Sequence, residues 1–554
     1  MTSRGSSTAL GDMLDQRQKF LLLGSLMVSM FMGALDQTIM ATAAPRIVAD
    51  LGGFHLLSWV FTSYMLSSTV VVPLVGKLSD VFGRKPFLLG GILLFLVGSI
   101  GCGASPSMEA LIAFRAIKGV GGGTVFASVF ATIGDLFPPS ERGKYVGFFT
   151  GTFSLASVLG PTFGGLLTDN LGWRSVFFIN VPVAAVAIPA IWFNLPFHSG
   201  SQRPRIDFVG AAFLSVATVS LLLGLAWSGE ENGWTDTLTV TLLAVAVVFT
   251  IAFIVQELRH PEPIIPLHLF RVREFLLGNA IVFSIGIAMQ GTIPYLPTFI
   301  QTAMDASATA SGLVTTPQSL GLLTTSIIGG QVMARTGRYR ILTITGTLFM
   351  LAATALMLTL SSSSPRWHVS AFMVLLGAGS GLGMPIMSVV IQNAVPHKYL
   401  GVASSSRQFF MQIGGVLGTA IFGVILTATF QSQFDKQLSA EARAVMPPAM
   451  IERFEDPTLA LDDRTYNAVQ EELRSMPGGD QALEDAQAAQ KSAITTGLHR
   501  IFTFAVAIVG ITVVLAILLR ELPLRRAFGD AEPAPGPAAP ERVATASAPA
   551  DAGS

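Results

Sequence analysis

Apolar residues along this chain run in long blocks separated by short polar connections. Fourteen blocks are long enough to cross about 30 Å of hydrocarbon at about 1.5 Å per residue. They cover 20–44, 56–76, 86–103, 107–130, 144–167, 176–195, 207–227, 237–256, 275–300, 308–334, 341–360, 367–392, 401–430 and 497–519. Each predicts a membrane-spanning helix, so the expected fold class is an all-α polytopic membrane protein. The first block follows Arg17 and Lys19 and ends near Ala43-Ala44-Pro45, like a signal peptide. Its apolar run is too long for one, and thirteen more follow, so it reads as an uncleaved helix.

Two stretches break the pattern. Segment 431–496 is polar, with twelve acids against six bases, and carries helical periodicity interrupted at Pro447-Pro448 and Gly478-Gly479. It reads as a long outside loop. The tail from Ala531 is rich in Ala and Pro and reads as disordered.

Composition agrees with the blocks. Of 554 residues, 51% are apolar and 12% charged, against about 25% charged in soluble domains; the mean hydropathy is +0.60. Equal numbers of bases and acids, 34 each, leave no basic footprint for nucleic acid. A single cysteine, Cys102, excludes an intrachain disulfide framework and a thiolate metal site, and the seven histidines are scattered singly. Soluble enzyme classes are set aside on these grounds, and no metal or cofactor is expected.

The basic residues orient the chain. With the N-terminus inside, 22 Lys and Arg fall on cytoplasmic connections, among them Lys77, Arg84, Lys85, Arg142, Arg338 and Arg407. The short outside loops hold three, Arg46, Arg174 and Arg366. This asymmetry places both termini in the cytoplasm. Arg115 and Lys118 lie within a span.

The chain also repeats itself. Gly76-x-Leu-x-Asp80-x-x-Gly83-Arg84 recurs as Gly330-x-x-x-Ala334-x-x-Gly337-Arg338, an offset of 254. At an offset of 258, Gly119, Gly121 and Gly123 fall on Gly377, Gly379 and Gly381, Gly143 on Gly401, Gly160 on Gly418 and Gly165 on Gly423. Two related six-helix halves separated by two extra spans are the economical reading, an architecture used by secondary transporters. The expected parts are a cytoplasmic tail 1–19, a first bundle 20–195, linker helices 196–274, a second bundle 275–520 containing 431–496, and a tail 521–554. The glycine runs superficially resemble nucleotide loops, but both lie inside spans, which favours helix packing.

Several motifs sit on this frame. Gly76-Lys-Leu-Ser-Asp80-Val-Phe-Gly83-Arg84-Lys85 forms the connection between the second and third spans. Its glycines permit a tight turn, and Asp80 falls close to a helix N-terminus, where a carboxylate gains about 0.3–1 kcal/mol. Gly160-Pro161-Thr-Phe-Gly164-Gly165 combines a helix-kinking proline with glycines that admit a neighbouring backbone. Asp36 and Arg115 each lie eight residues from the outer ends of their spans, about 12 Å deep. Matched depth permits a salt bridge, and burying either alone would cost at least about 2.5 kcal/mol. Lys118 lies on nearly the same helix face as Arg115. At offset 254 Asp36 falls on Gln290, a polar counterpart that does not titrate.

The ten-residue loop resembles the signature of the major facilitator superfamily. Leu35-Asp36-Gln-Thr-Ile39, Arg115 with Gly119 and Gly121, and the Gly160–Gly165 run resemble first-, fourth- and fifth-helix motifs of drug–proton antiporters. Trp173-Arg174-Ser-Val-Phe-Phe-Ile-Asn180-Val-Pro182 is similar to the fourteen-helix drug–proton antiporter branch. The resemblance runs from about Leu21 to Arg520. It implies two six-helix bundles plus two linker helices, and proton-driven export of drugs. The chain departs from that pattern in having Lys118 where Gln is usual and Ala156 where a glycine is usual. It also lacks membrane acids in the second bundle, which concentrates proton chemistry in the first.

The expected function is proton-coupled antiport of a lipophilic small molecule across the cytoplasmic (inner) membrane. The chain is expected to act as a monomer among membrane lipids, with protons as its other partner. Asp36 and Arg115 are the expected proton-coupling pair, and Lys118 and Gln290 are expected in the substrate cavity. The loop Gly76, Asp80, Gly83, Arg84 and Lys85 is the expected conformational switch. Three alternatives stay open: export of one lipid or endogenous metabolite on the same fold, proton-coupled uptake, and a scaffold that docks a partner on 431–496.

Overall fold

The computed structural model describes residues 13–524 apart from 53–55, 198–205, 228–232, 294, 305, 307, 457–458 and 460–462. Most of the expected tails, 1–12 and 525–554, therefore lie outside the described residues. Among the described residues the chain is helical, with no strand. A capping box starts α1 (Gln16–Leu51): Asp15 Oδ1 accepts from the Gln18 amide (2.6 Å), and Gln18 Oε1 accepts from the Asp15 amide (3.1 Å). There follow α2 (Leu57–Phe82), α3 (Arg84–Gly103), α4 (Met108–Leu136), α5 (Pro139–Leu171), α6 (Ser175–Phe178) and α7 (Asn180–Asn194). Next come α8 (Phe208–Trp227) and α9 (Thr237–Arg259), which pack on each other; α8 also touches α2 and α16 (Leu400–Gln437).

The rest comprises α10 (Arg273–Ile285), a π turn at Gly286–Gln290, α11 (Tyr295–Thr302), α12 (Ala308–Thr315), α13 (Pro317–Thr336), α14 (Tyr339–Met357) and α15 (Arg366–Asn393). After α16 come α17 (Ala440–Val445), α18 (Pro448–Phe454), α19 (Asp463–Arg474) and α20 (Gly479–Leu518).

Twelve spans among the described residues, or thirteen with a bent α5, are long and apolar enough to cross a bilayer; α6 with α7 forms one and α10 with α11 another. The remaining predicted span, 308–334, is broken into α12 and α13 at Thr316–Pro317. α13 is rich in Gly, Ser, Thr and Gln where it packs against α5 and α15, and it exposes Leu320, Ile328 and Val332.

The internal repeat is visible in the packing. Gly83 (φ 90°) and Gly337 (φ 70°), 254 residues apart, both turn the chain with a positive φ that side chains resist. A Cβ at Gly119 would lie 2.4 Å from the Tyr64 carbonyl oxygen, and one at Gly377 2.0 Å from that of Gln318. One at Gly123 would meet the Ser68 carbonyl at 2.5 Å, and one at Gly381 the Leu322 carbonyl at 2.5 Å. Gln318 and Leu322 are Tyr64 and Ser68 shifted by the same 254 positions. Both glycine runs are therefore helix-packing faces.

Segment 431–496, expected as a loop, is instead a folded helical cap. α16 continues to Gln437, α17–α19 follow, and α20 begins at Gly479, well before the predicted span at 497. Met446, Met450, Phe454, Val469, Leu473 and Leu483 are buried within it. The predicted breaks are its corners: Pro447 precedes α18, and Gly478 (φ 78°) precedes α20.

Candidate functional site

Asp36 lies at the centre of the first half, in α1, and is 4% exposed. Arg115 Nη1 donates to its Oδ2 at 2.8 Å, and Lys118 Nζ donates to its Oδ1. Both cations come from α4, three residues apart, so one helix face presents both to one carboxylate. Arg115 Nε also donates to the Val60 carbonyl (3.1 Å), and its guanidinium lies over the Tyr64 ring (4.5 Å). The Lys118 ammonium lies 4.7 Å from the Phe95 ring centroid and 4.9 Å from that of Phe177. The expected cavity residue Lys118 is thus completely buried and turned to Asp36. One buried carboxylate thus accepts from two basic side chains on a single helix face.

The bend in α5 lies against this cluster. Its two pieces, Pro139–Gly160 and Thr162–Leu171, diverge by 42°. Pro161, between them, cannot donate the helical hydrogen bond. A Cβ on Gly160 would lie 2.0 Å from Thr38 Oγ1, and one on Gly164 2.1 Å from Thr42 Oγ1. Thr38 Oγ1 also donates to the Ala156 carbonyl (3.2 Å). The hinge therefore grips α1 within one turn of Asp36. The expectation for Gly165 is corrected: nothing lies within 4 Å of the position its Cβ would take, because it points away from α1. At the far ends of these helices Trp173 Nε1 (2.9 Å) and Arg174 Nη1 (2.6 Å) both donate to Asp50. Arg174 and Trp173 together hold that carboxyl below its ordinary range. Asn180 donates to Ser99 Oγ (2.9 Å).

The signature loop forms a second cluster. Asp80 accepts from the backbone amides of Gly401 (2.8 Å) and Val402 (3.1 Å). These are free amides in the first turn of α16, so the helix end that Asp80 serves belongs to the other half. Arg84 bridges Asp80 and Asp135 (2.7 Å to Oδ2) and donates to Ser79 Oγ (2.7 Å). His397, before α16, lies 3.5 Å from Asp135. Lys85 Nζ donates to the Trp192 carbonyl (2.6 Å). A Cβ on Gly76 would meet the Gly401 carbonyl oxygen at 2.8 Å, so the two backbones touch.

A matching crossing joins α13 to α5, where a Cβ on Gly330 would meet the Gly143 carbonyl at 2.2 Å. Gly330 and Gly143 are the repeat partners of Gly76 and Gly401. Between the two crossings Gln392 Oε1 accepts from Arg142 (3.3 Å), and its amide donates to Ser404 Oγ (2.7 Å) and the Phe130 carbonyl (3.3 Å). These contacts lie at the end of the molecule that carries the signature loop, and that end is closed. Gln290 stays in the second half, in the π turn, where its carbonyl accepts from Thr419 (3.4 Å) and its side chain lies against Gly415.

Sequence reasoning missed three features: the bond from Lys118 to Asp36, the Gln392 seam and the interior position of Arg407. The last was counted with the connections, but it lies in the second turn of α16 and is 4% exposed. The repeat could have located the second crossing, since both of its glycines appear in it.

The family model of the Major Facilitator Superfamily matches residues 26–419. The chain belongs to the Major Facilitator Superfamily. It is a multi-span membrane transporter and not an enzyme. It is 38% identical over 413 residues to the "Multidrug transporter protein MdtP" of Bacillus subtilis (strain 168), covering 74% of this chain and 76% of that protein. "Multidrug resistance protein 3" of the same organism is 36% identical over 427 residues, covering 76% and 82% respectively. The crystal structure of the human organic anion transporter MFSD10 (TETRAN) superposes with a TM-score of 0.57 at 14% identity, over 89% of this chain and 100% of that one. At that identity the likeness concerns the fold alone. An all-helical polytopic fold is what the apolar blocks led one to expect, and the superfamily is the one that the resemblance of the Gly76–Lys85 loop implied.

Proposed function

We propose that this transporter exports lipophilic small molecules across the cytoplasmic membrane in exchange for protons, by alternating access of its two halves. One observation carries the reading: Asp36 is buried between Arg115 and Lys118 within a turn of the α5 hinge. An acid at this position can hold a proton only if its two cations are drawn away, which ties proton occupancy to the arrangement of helices. The similarity to B. subtilis proteins named for multidrug transport supports the direction and the cargo class.

With the signature loop on the cytoplasmic side, where the basic residues predict it, the closed end faces the cytoplasm and this arrangement faces outward. A proton then reaches Asp36 from outside, loosens its bonds to α4, and favours opening of the Asp80 crossing. Cargo enters from the cytoplasm or inner leaflet, and the proton leaves inward when Asp36 regains its cations. The chain works as a monomer and needs no cofactor in this scheme.

The test is substrate-induced proton release from detergent-solubilised protein, measured across pH. Asp36→Asn fixes the neutral state and should abolish release, while downhill exchange of uncharged cargo persists. Undiminished release from Asp36→Asn would move the coupling acid elsewhere, with Asp80 and Asp135 next in line.

A further inference from the structure

A cation inside a membrane-spanning bundle needs a counter-charge. Arg115 and Lys118 have Asp36, and Arg84 has Asp80 and Asp135. Arg407 is different. Among the described residues it forms no ion pair; its Nη2 donates to the neighbouring Gln408 Oε1 (3.1 Å), and its buried Nε has no acceptor. Its guanidinium lies 4.8 Å from the Phe130 ring centroid. A ring face and one amide oxygen offset only part of the cost of desolvating a full charge.

The location adds to this. Phe130 is on α4, in the first half, and Arg407 is on α16, in the second. α4 and α16 pack together at the closed end, near the Gln392 seam, where Gln392 bonds both the Phe130 carbonyl and Ser404. When the halves part at that end, Phe130 withdraws and the guanidinium faces the opening; among the described residues no carboxylate pairs with it here. Ser406 Oγ on α16 and Ser128 Oγ on α4 are also buried without hydrogen-bond partners. Guanidinium suits such a position, because its planar fork holds a carboxylate or sulfonate through two parallel hydrogen bonds.

We infer that Arg407 binds an acidic group on the cargo, a carboxylate or sulfonate carried by an otherwise lipophilic molecule, while the signature-loop end is open. This deepens the export reading and rests on it. Arg407 is then a specificity residue that touches cargo and takes no part in proton transfer.

The experiment uses the purified full-length protein in detergent and three fluorescent probes sharing one ring system: 1-pyrenebutyrate, its methyl ester and 1-pyrenemethylammonium. Apolar contributions cancel in the ratio of acid to ester affinity. The wild type should bind the acid at least about tenfold more tightly than the ester, and the ammonium most weakly, as expected of a charge-assisted pair. Arg407→Gln should collapse that ratio to near one while changing ester binding less than about twofold. Arg407→Lys keeps the charge but not the fork, and should lower the ratio about threefold or more; it is the variant to read where Arg407→Gln does not fold. Equal affinity of acid and ester for the wild type overturns the inference, as does an equal loss of both in Arg407→Gln or an unchanged ratio in Arg407→Lys. Proton-driven flux of the acid into inverted proteoliposomes reads the export scheme separately. Its loss with the binding ratio intact would refute export and leave the assignment of Arg407 standing.

Discussion

The two crossings that close the signature-loop end are repeat partners, but they are built differently. At α2 and α16, Gly76 meets Gly401, and Asp80 holds the first amides of α16 while Arg84 ties it to Asp135. At α13 and α5, Gly330 meets Gly143, but Ala334 stands where the repeat would place an acid, and Met333 fills the contact. The backbone approach is shared and the latch is not. One crossing can be switched by charge, whereas the other depends only on fit. A duplicated scaffold can thus keep its geometry in both copies while placing chemistry in one.

Adding a methyl group where the backbones touch should break the comparison most strongly. At Gly401 a Cβ would lie 2.3 Å from the Gly76 carbonyl, and at Gly330 2.2 Å from the Gly143 carbonyl. Backbone cannot yield cheaply, so Gly401→Ala and Gly330→Ala should each cut vesicle transport tenfold or more, an effect of about 1.4 kcal/mol or above on closure. Gly143→Ala should be far milder. The atom its Cβ would meet, at 2.1 Å, is the mobile end of Met333, and the Gly330 carbonyl is 3.2 Å away. Equal losses in all three variants would mean that the crossings tolerate no distinction between backbone and side chain.

Next in size is Asp80→Asn. It keeps the shape and removes the charge from the α16 end, which should weaken closure by about 1 kcal/mol, roughly fivefold in the equilibrium between open and closed ends. Distances between spin labels on α2 and α16 would report that shift, and cargo binding should survive. Loss of binding in folded protein would mean that the loop shapes the cargo site directly.

The smallest effect is expected from Ala334→Asp, which copies the acid into the second crossing. α16 starts at Leu400, so the Gly401 and Val402 amides are free, whereas α5 starts at Pro139, four residues before Gly143. The corresponding amides in α5 are already bonded within the helix. The new carboxylate should therefore shift the same label distances by less than about twofold in population. A shift as large as that from Asp80→Asn would show that any acid at a crossing suffices.

Much of this was legible in the chain. Block length predicted the spans, and glycine spacing predicted two related halves; that the glycines pack on Tyr64 and Gln318 came only with the structure. Depth counting predicted that Asp36 could meet Arg115. The direction of a flexible side chain was not legible: the i, i+3 spacing put Lys118 beside Arg115 without saying that its ammonium turns to Asp36 instead of a cavity. α13 departed from a simple apolar span because its neighbours are helices. The cap was hidden because its buried residues, such as Met450, Phe454 and Leu473, are spread thinly through an acidic sequence. Arg407 was misread because it was counted with the basic residues of the preceding connection, although the predicted block already began at 401 and α16 begins at Leu400.

The cap gives the second half an external pointer. α16 has 38 residues and α20 has 40, so each rod is about 57–60 Å long, nearly twice a bilayer core. α16 carries the Asp80 contact at one tip, and at the other its Phe430 and Phe434 are buried in the core shared with the cap. A tilt of about 10° at the latch would swing the far tip by about 10 Å, by the geometry of a rod of that length. A dye on the cap surface would therefore read the latch from the opposite side of the membrane, without any label inside the bundle.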